Sequence, residues 1–145
     1  MTQAVPPDKV AASLRRIFGP EAETTVLTVG ADTVLRVTRG DTLLGFATVR
    51  NVTGKDQPIT FLVAIDPDDR LKDVDILVYR EPYGGEVAYE AWRRQFRGKS
   101  AADSVRVGRE IRAISGATIS VHAVTLGVKR ALADLTHWHQ TGAIR

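Results

Sequence analysis

Apolar residues recur every second position through the middle of this chain and every third or fourth position towards its two ends. Near the start, Val10, Leu14, Ile17 and Phe18 fall on one helical face. Pro6-Pro7-Asp8 supplies an arm and an N-cap for that helix, and Gly19-Pro20 ends it. From there to Tyr79 the pattern is strand-like. Val34, Arg36 and Thr38 alternate with Leu35 and Val37, and Arg39-Gly40-Asp41 turns the chain. A second strand is predicted over Thr42–Val52, ending at Thr53-Gly54-Lys55-Asp56. A third covers the apolar run Ile59–Ile65, with a turn at Asp66-Pro67-Asp68-Asp69, and a fourth covers Leu71–Tyr79. Connections this short imply antiparallel hairpins in a meander.

The period then lengthens. Glu86–Phe96 reads as a helix with an imperfect apolar face made by Val87, Tyr89, Ala91, Trp92 and Phe96. Ile119–Trp138 is the clearest helix, its apolar positions spaced by three and four. Gly127 inside it costs about 1 kcal/mol against alanine, so a close packing contact is expected there. Strands followed by helices give an α+β class: an antiparallel β-meander sheet packed with an N-terminal helix and C-terminal helices.

At 145 residues the chain is expected to form one domain, 1–145, with residues 1–7 as a flexible arm. The balance of 43% hydrophobic and 26% charged residues is that of a globular protein rather than a disordered one. With no cysteine there are no disulfides, thiolate-held iron–sulfur clusters or thiolate zinc sites. No apolar stretch approaches 18 residues, so the sequence as given is expected neither to span a membrane nor to carry a signal peptide. The net charge of +3 is unevenly placed: Trp92–Arg112 holds seven basic residues against Asp103 and Glu110. That cluster is either a solvated face or a patch that steers an acidic partner. Nucleic acid is not the expected partner, because no stacking aromatics interleave the charges.

Few residues suggest catalysis. His122, His137 and His139 lack metal-ligand spacing and read as surface or packing residues. Ser115 and Ser120 have no evident base. No glycine-rich dinucleotide or P-loop motif occurs. The run Ile114-Ser115-Gly116-Ala117-Thr118-Ile119-Ser120 is different, because it sets Thr118 between a tight turn and the start of the last helix. Thr118 there can cap the helix through its side-chain oxygen. Equally, it can carry a phosphate at the end of the helix where N–H donors and the positive end of the dipole converge.

Ser115-Gly116-Ala117-Thr118, followed by an aliphatic residue and Ser120, resembles the signature of the FMN-binding domain family. That family includes flavin-carrying subunits of the sodium-pumping NADH:quinone oxidoreductase and of the Rnf complex. The similarity runs from Leu44-Gly45 through Glu81-Pro82-Tyr83-Gly84-Gly85-Glu86 and Phe96-Arg97-Gly98-Lys99 to Val128. The resemblance implies FMN as cofactor, with its phosphate esterified to Thr118 by a separate flavin transferase. It also implies redox partner proteins, some of them membrane-bound, on the outer face of a bacterial membrane. Gly116 and Ala117 would keep the approach to the flavin clear, and the N–H groups of Ser120 and Val121 would meet its phosphate. Glu81, Tyr83, Gly84 and Gly85 would lie beside the ring, with Tyr83 stacking on it, and Lys99 would set a cation near the phosphate or ring carbonyls. Two positions depart from the family pattern: Arg112 stands where many members have an acidic residue, and Val121 where a second serine often follows. Both departures bear on covalent attachment more than on FMN binding, and Arg112 would suit a phosphate held without a covalent bond. The expected function is an FMN-carrying electron-transfer protein. The alternatives are a non-covalent FMN-dependent reductase and a non-redox ligand-binding module using the same groove.

Overall fold

The alternating half of the sequence folds into five antiparallel strands in sequential order, β1 (Glu23–Val29), β2 (Asp32–Arg39), β3 (Thr42–Thr53), β4 (Pro58–Ile65) and β5 (Leu71–Val78). The computed structural model describes residues 7–145. The expected arm therefore lies outside the described residues except for Pro7, which opens α1 (Pro7–Phe18). α1 covers one sheet face, where Leu14 and Phe18 pack with Val37, Ala47, Leu62 and Ala64. The other face carries the larger core, built by Val34, Phe46, Phe61 and Val63 with α3 (Thr118–Thr141). β4 is buried on both faces, which is why it reads as a continuous apolar run instead of an alternating one.

The meander expected from the sequence is present with one strand more than predicted. β1 was not resolved by periodicity because it is an edge strand with little to bury: Leu27 and Val29 are half-buried and its other residues are exposed. Gly45 lies opposite the bulge at Val37 and Thr38 of β2. Its φ is +151°, and a Cβ there would lie 2.0 Å from the Ile65 carbonyl oxygen, so the strands can approach only because the side chain is absent.

The helix expected over Glu86–Phe96 is replaced by three short pieces: a 3-10 turn Gly85–Ala88, α2 (Glu90–Arg93) and a second 3-10 turn Arg94–Phe96. Arg93 supplies the reason. Its guanidinium is buried and donates from Nε to the Ala88 carbonyl at 2.8 Å and from Nη1 to the Val74 carbonyl at 2.6 Å. A continuous helix would need the Ala88 carbonyl for Trp92 N–H. Trp92 N–H instead donates to Tyr89, whose backbone is extended. α3 runs from one residue before the expected start to three beyond the expected end. Gly127 is the expected close contact: a Cβ would lie 2.5 Å from Val52 Cγ1 and 2.7 Å from Phe61 Cζ.

Candidate functional site

Three segments that are distant in sequence meet at one end of the sheet, around a cleft of about 480 Å³. The β3–β4 turn contributes Lys55 and Asp56, the loop after β5 contributes Glu81 to Gly84, and the start of α3 contributes Gly116 to Ser120. Glu81 ties the first two together. Its Oε1 accepts hydrogen bonds from the N–H groups of Asp56 and Gln57, both at 2.6 Å. Those donors, Asp56 first, hold its carboxyl below the usual carboxylate range, and the Lys55 charge acts in the same direction.

The second and third segments are joined by Tyr79. Its hydroxyl donates to the Tyr83 carbonyl and lies 2.6 Å from Ser120 Oγ, which is buried. Gly84 threads beneath this pair with φ +86°. A Cβ at Gly84 would lie 2.5 Å from the Tyr79 hydroxyl oxygen and 2.7 Å from Ser120 Oγ. Tyr83 projects outward with 82% of its surface exposed, leaving a ring face free at the rim of the cleft.

At the start of α3 the expected cap is absent. Ala117 occupies the N-cap position with φ −128° and ψ 25°, Thr118 is the first helical residue, and no side chain caps the helix. Val121 N–H donates to the Ala117 carbonyl at 2.9 Å, so it is spent within the helix and cannot serve a ligand as expected. The N–H groups of Thr118, Ile119 and Ser120 have no intrahelical acceptor. Gly116 has the positive φ, +81°, that its turn role requires, and nothing within 4 Å of a Cβ built there.

The cleft thus gathers Glu81, Tyr83, Gly84, Gly116, Ala117, Thr118 and Ser120 from the residues singled out in the sequence. Ser115 is exposed in the turn just before it and is not part of the lining. Gly85 is also outside: a Cβ there would meet only ring carbons of Tyr79, at 3.8 Å. Lys99 is at the far end of β5. Its carbonyl accepts from Leu71 N–H at 2.7 Å, and β5 is roughly 20–25 Å long at about 3.3 Å per residue. The lysine that lines the cleft is Lys55, which the sequence offered only as part of a turn.

The basic cluster separates into structural and free members. Arg93 lies 3.9 Å from carboxylate oxygens of both Asp73 and Asp75, and Arg97 pairs with Asp73 at 3.2 Å and Glu90 at 2.9 Å. Arg112 is exposed in a neighbouring groove of about 360 Å³ with Trp92, Tyr89 and Ile114, and not in the Thr118 cleft. His139 is a packing residue, its Nδ1 2.5 Å from Asp69 Oδ1 and its ring 5.0 Å from that of Phe46. Among the described residues no helix is long and apolar enough to cross a membrane.

Residues 54–133 match the family described as FMN-binding domain. The matched span begins at the β3–β4 turn and takes in all three segments of the cleft. Over 106 residues the chain is also 31% identical to one subunit of the proton-translocating ferredoxin:NAD(+) oxidoreductase complex of Clostridium ljungdahlii. That similarity covers 68% of this chain and 57% of the relative, so the chain spans little more than half the relative's length.

Proposed function

We propose that this chain, which belongs to the FMN-binding domain family, holds FMN in the cleft at the start of α3 and carries electrons between partner proteins. The flavin is joined through its phosphate to Thr118 Oγ1 by a separate flavin transferase, with net loss of one water. The observation that carries this reading is the convergence of the Gly116–Ser120 turn, the Tyr83–Gly84 loop and Lys55 on one cleft. Its volume, about 480 Å³, is in the range of sites that take small cofactors. FMN supplies the one- and two-electron chemistry when bound.

The chain's own residues bind and orient it. Three N–H donors without acceptors at Thr118, Ile119 and Ser120 offer a seat for a phosphate anion. Lys55, exposed on the β3–β4 turn, adds a cation to the lining, in the role that the family resemblance gives to Lys99. Gly84 lets the loop pass beneath the Tyr79–Ser120 pair and so line the cleft, and exposed Tyr83 offers a stacking face. The exposed Thr118 side chain is open to a transferase and lines the cleft, whereas Ser120 is buried against Tyr79 and Ser115, though exposed in the turn, lies outside the cleft lining. Similarity to one component of a multisubunit oxidoreductase supports protein redox partners; a working place on the outer face of a bacterial membrane is what the family resemblance implies.

Intact mass after co-production with an active transferase tests this reading. The expected species is heavier by one FMN less one water, with the modification on Thr118. Thr118→Ala is expected to fold within about 0.5 kcal/mol of wild type, because it removes no cap, and to carry no covalent flavin. Full modification of the alanine variant would move the carrier to Ser115 or Ser120. Unmodified wild-type protein, beside a second substrate that the same transferase does modify, would refute covalent attachment. Titration with free FMN would then test the cleft itself.

A further inference from the structure

We propose that a groove beside the second and third turns of α3 is the docking seat for an acidic side chain of a partner protein. The inference rests on the electron-carrier reading for its purpose, but its evidence is separate. The groove, of about 280 Å³, lies between α3 and the segment around Arg106. Arg106, His122 and Lys129 line it over a floor of Val105, Val107 and Thr125, and no carboxylate is among the lining residues. Thr125 is 4% exposed, and its hydroxyl has no hydrogen-bond partner. A buried hydroxyl under three nitrogen-bearing side chains asks for an acceptor, and a carboxylate supplies one. Glu110, on the same loop, does not fill that role: it accepts from the Ser104 hydroxyl and from Arg106 N–H at 3.2 Å.

The surroundings select a protein. Leu126, on the groove wall, is 47% exposed, and Ile119, seven residues earlier on α3, is 52% exposed. Seven residues are two helical turns, about 10 Å, so one helix face runs from the Thr118 cleft to the groove. Lys129 and Arg130 on α3 are exposed and form no ion pair among the described residues, while Asp134, the helix's one acidic residue, pairs with Arg50 at 2.8 Å. An apolar centre with a basic rim complements an acidic partner. A concave seat with a hydroxyl at its floor fits a single protruding carboxylate better than a flat lipid surface. The groove beside Trp92 offers no such preference, since an acidic residue, Glu86, lines it together with Arg112. A partner seated on α3 would lie about two turns from the flavin.

Amide chemical shifts of the flavin-loaded, nitrogen-15-labelled protein provide the test. The probes are an acidic peptide with a central leucine, its lysine-substituted counterpart, and phosphatidylglycerol vesicles. Saturating shifts at residues 105–107 and 122–129 are expected with the acidic peptide alone, weakening as salt is raised. Lys129→Glu and Arg106→Glu should each weaken binding roughly 5-fold, with flavin content and circular dichroism unchanged. Equal shifts with the basic peptide, shifts mapping elsewhere, or a response to vesicles only would each overturn the proposal. The same titration on flavin-free protein separates it from the cofactor reading, because the groove lies outside the cleft.

Discussion

Replacing Gly84 by alanine tests whether the cleft is built as described, with Gly85→Ala as an internal reference one residue away. A Cβ at Gly84 would sit 2.5 Å from the Tyr79 hydroxyl oxygen and 2.7 Å from Ser120 Oγ, pushing apart a pair now 2.6 Å apart. Its φ of +86° adds the left-handed backbone penalty of about 1–2 kcal/mol. Overpacking typically costs about 1–3 kcal/mol, part of which the Tyr79 side chain relieves by swinging away. A net loss of about 2–4 kcal/mol follows, or roughly 6–12 °C in Tm for a domain of this size. At Gly85 the nearest atoms are Tyr79 ring carbons at 3.8 Å, an ordinary contact, so the loss should stay below about 1 kcal/mol. Urea unfolding gives both values, and fluorescence titration with FMN should show weakened binding only for Gly84→Ala. Equal stability losses, or FMN binding weakened more by the Gly85 variant, would refute this account of the loop.

Three further outcomes follow from the same geometry. Gly127→Ala should destabilise by about 1–2 kcal/mol in denaturant melts, because contacts at 2.5 and 2.7 Å outweigh the helix propensity gained, and Val52→Ala in the same chain should recover part of the loss. Arg93→Met leaves buried Asp73 and half-buried Asp75 with less compensation and frees the Ala88 and Val74 carbonyls, so a loss of about 3 kcal/mol is expected by urea unfolding, with little change if the guanidinium is dispensable. Glu110 is pushed down to about 2, first by the Ser104 hydroxyl and then by backbone N–H groups. Because its folded value lies below its unfolded one, its contribution is complete above about pH 4.5 and disappears as pH falls towards 2. Carbon-13 titration of the carboxyl should show this, and Ser104→Ala should move the titration upward.

What the sequence reveals depends on whether a residue's neighbours are local. β2 to β5 and α3 were legible because each buries a face, and burial writes a period into the chain. β1 buries almost nothing and leaves no period. The break in the helix over Glu86–Phe96 was illegible because Arg93, whose side chain takes the Ala88 carbonyl, is held there by the carbonyl of Val74, a residue of β5 brought close only by folding. That Tyr83, Gly84 and Thr118 come together at one cleft was legible through motif order. Lys55 was not: a lysine in a β-turn looks like any other until Glu81 folds back onto the turn's N–H groups. Lys99 shows the opposite case. Motif order suggested a site residue, but its backbone pairing with Leu71 anchors it at the far end of the strand.

The start of α3 departs from the local rules of helix capping. A 24-residue helix that carries one of the domain's main packing faces begins with alanine at the cap and no acidic residue in its first turn. A capping side chain ordinarily contributes about 0.5–2 kcal/mol and a first-turn carboxylate a further few tenths, but the cap position here is packed into the core, Ala117 being 3% exposed. Threonine is present but one position too late to cap, with its side chain exposed. The helix therefore keeps three N–H donors and its positive end turned towards the cleft. A carboxylate in the first turn would compete with an incoming phosphate for those donors. Ile119→Asp, at a first-turn position that is 52% exposed, should accordingly raise the thermal stability of the flavin-free protein by a few tenths of a kcal/mol and weaken its binding of FMN. Gains in both stability and FMN affinity would show that the bare helix end has no part in holding the phosphate.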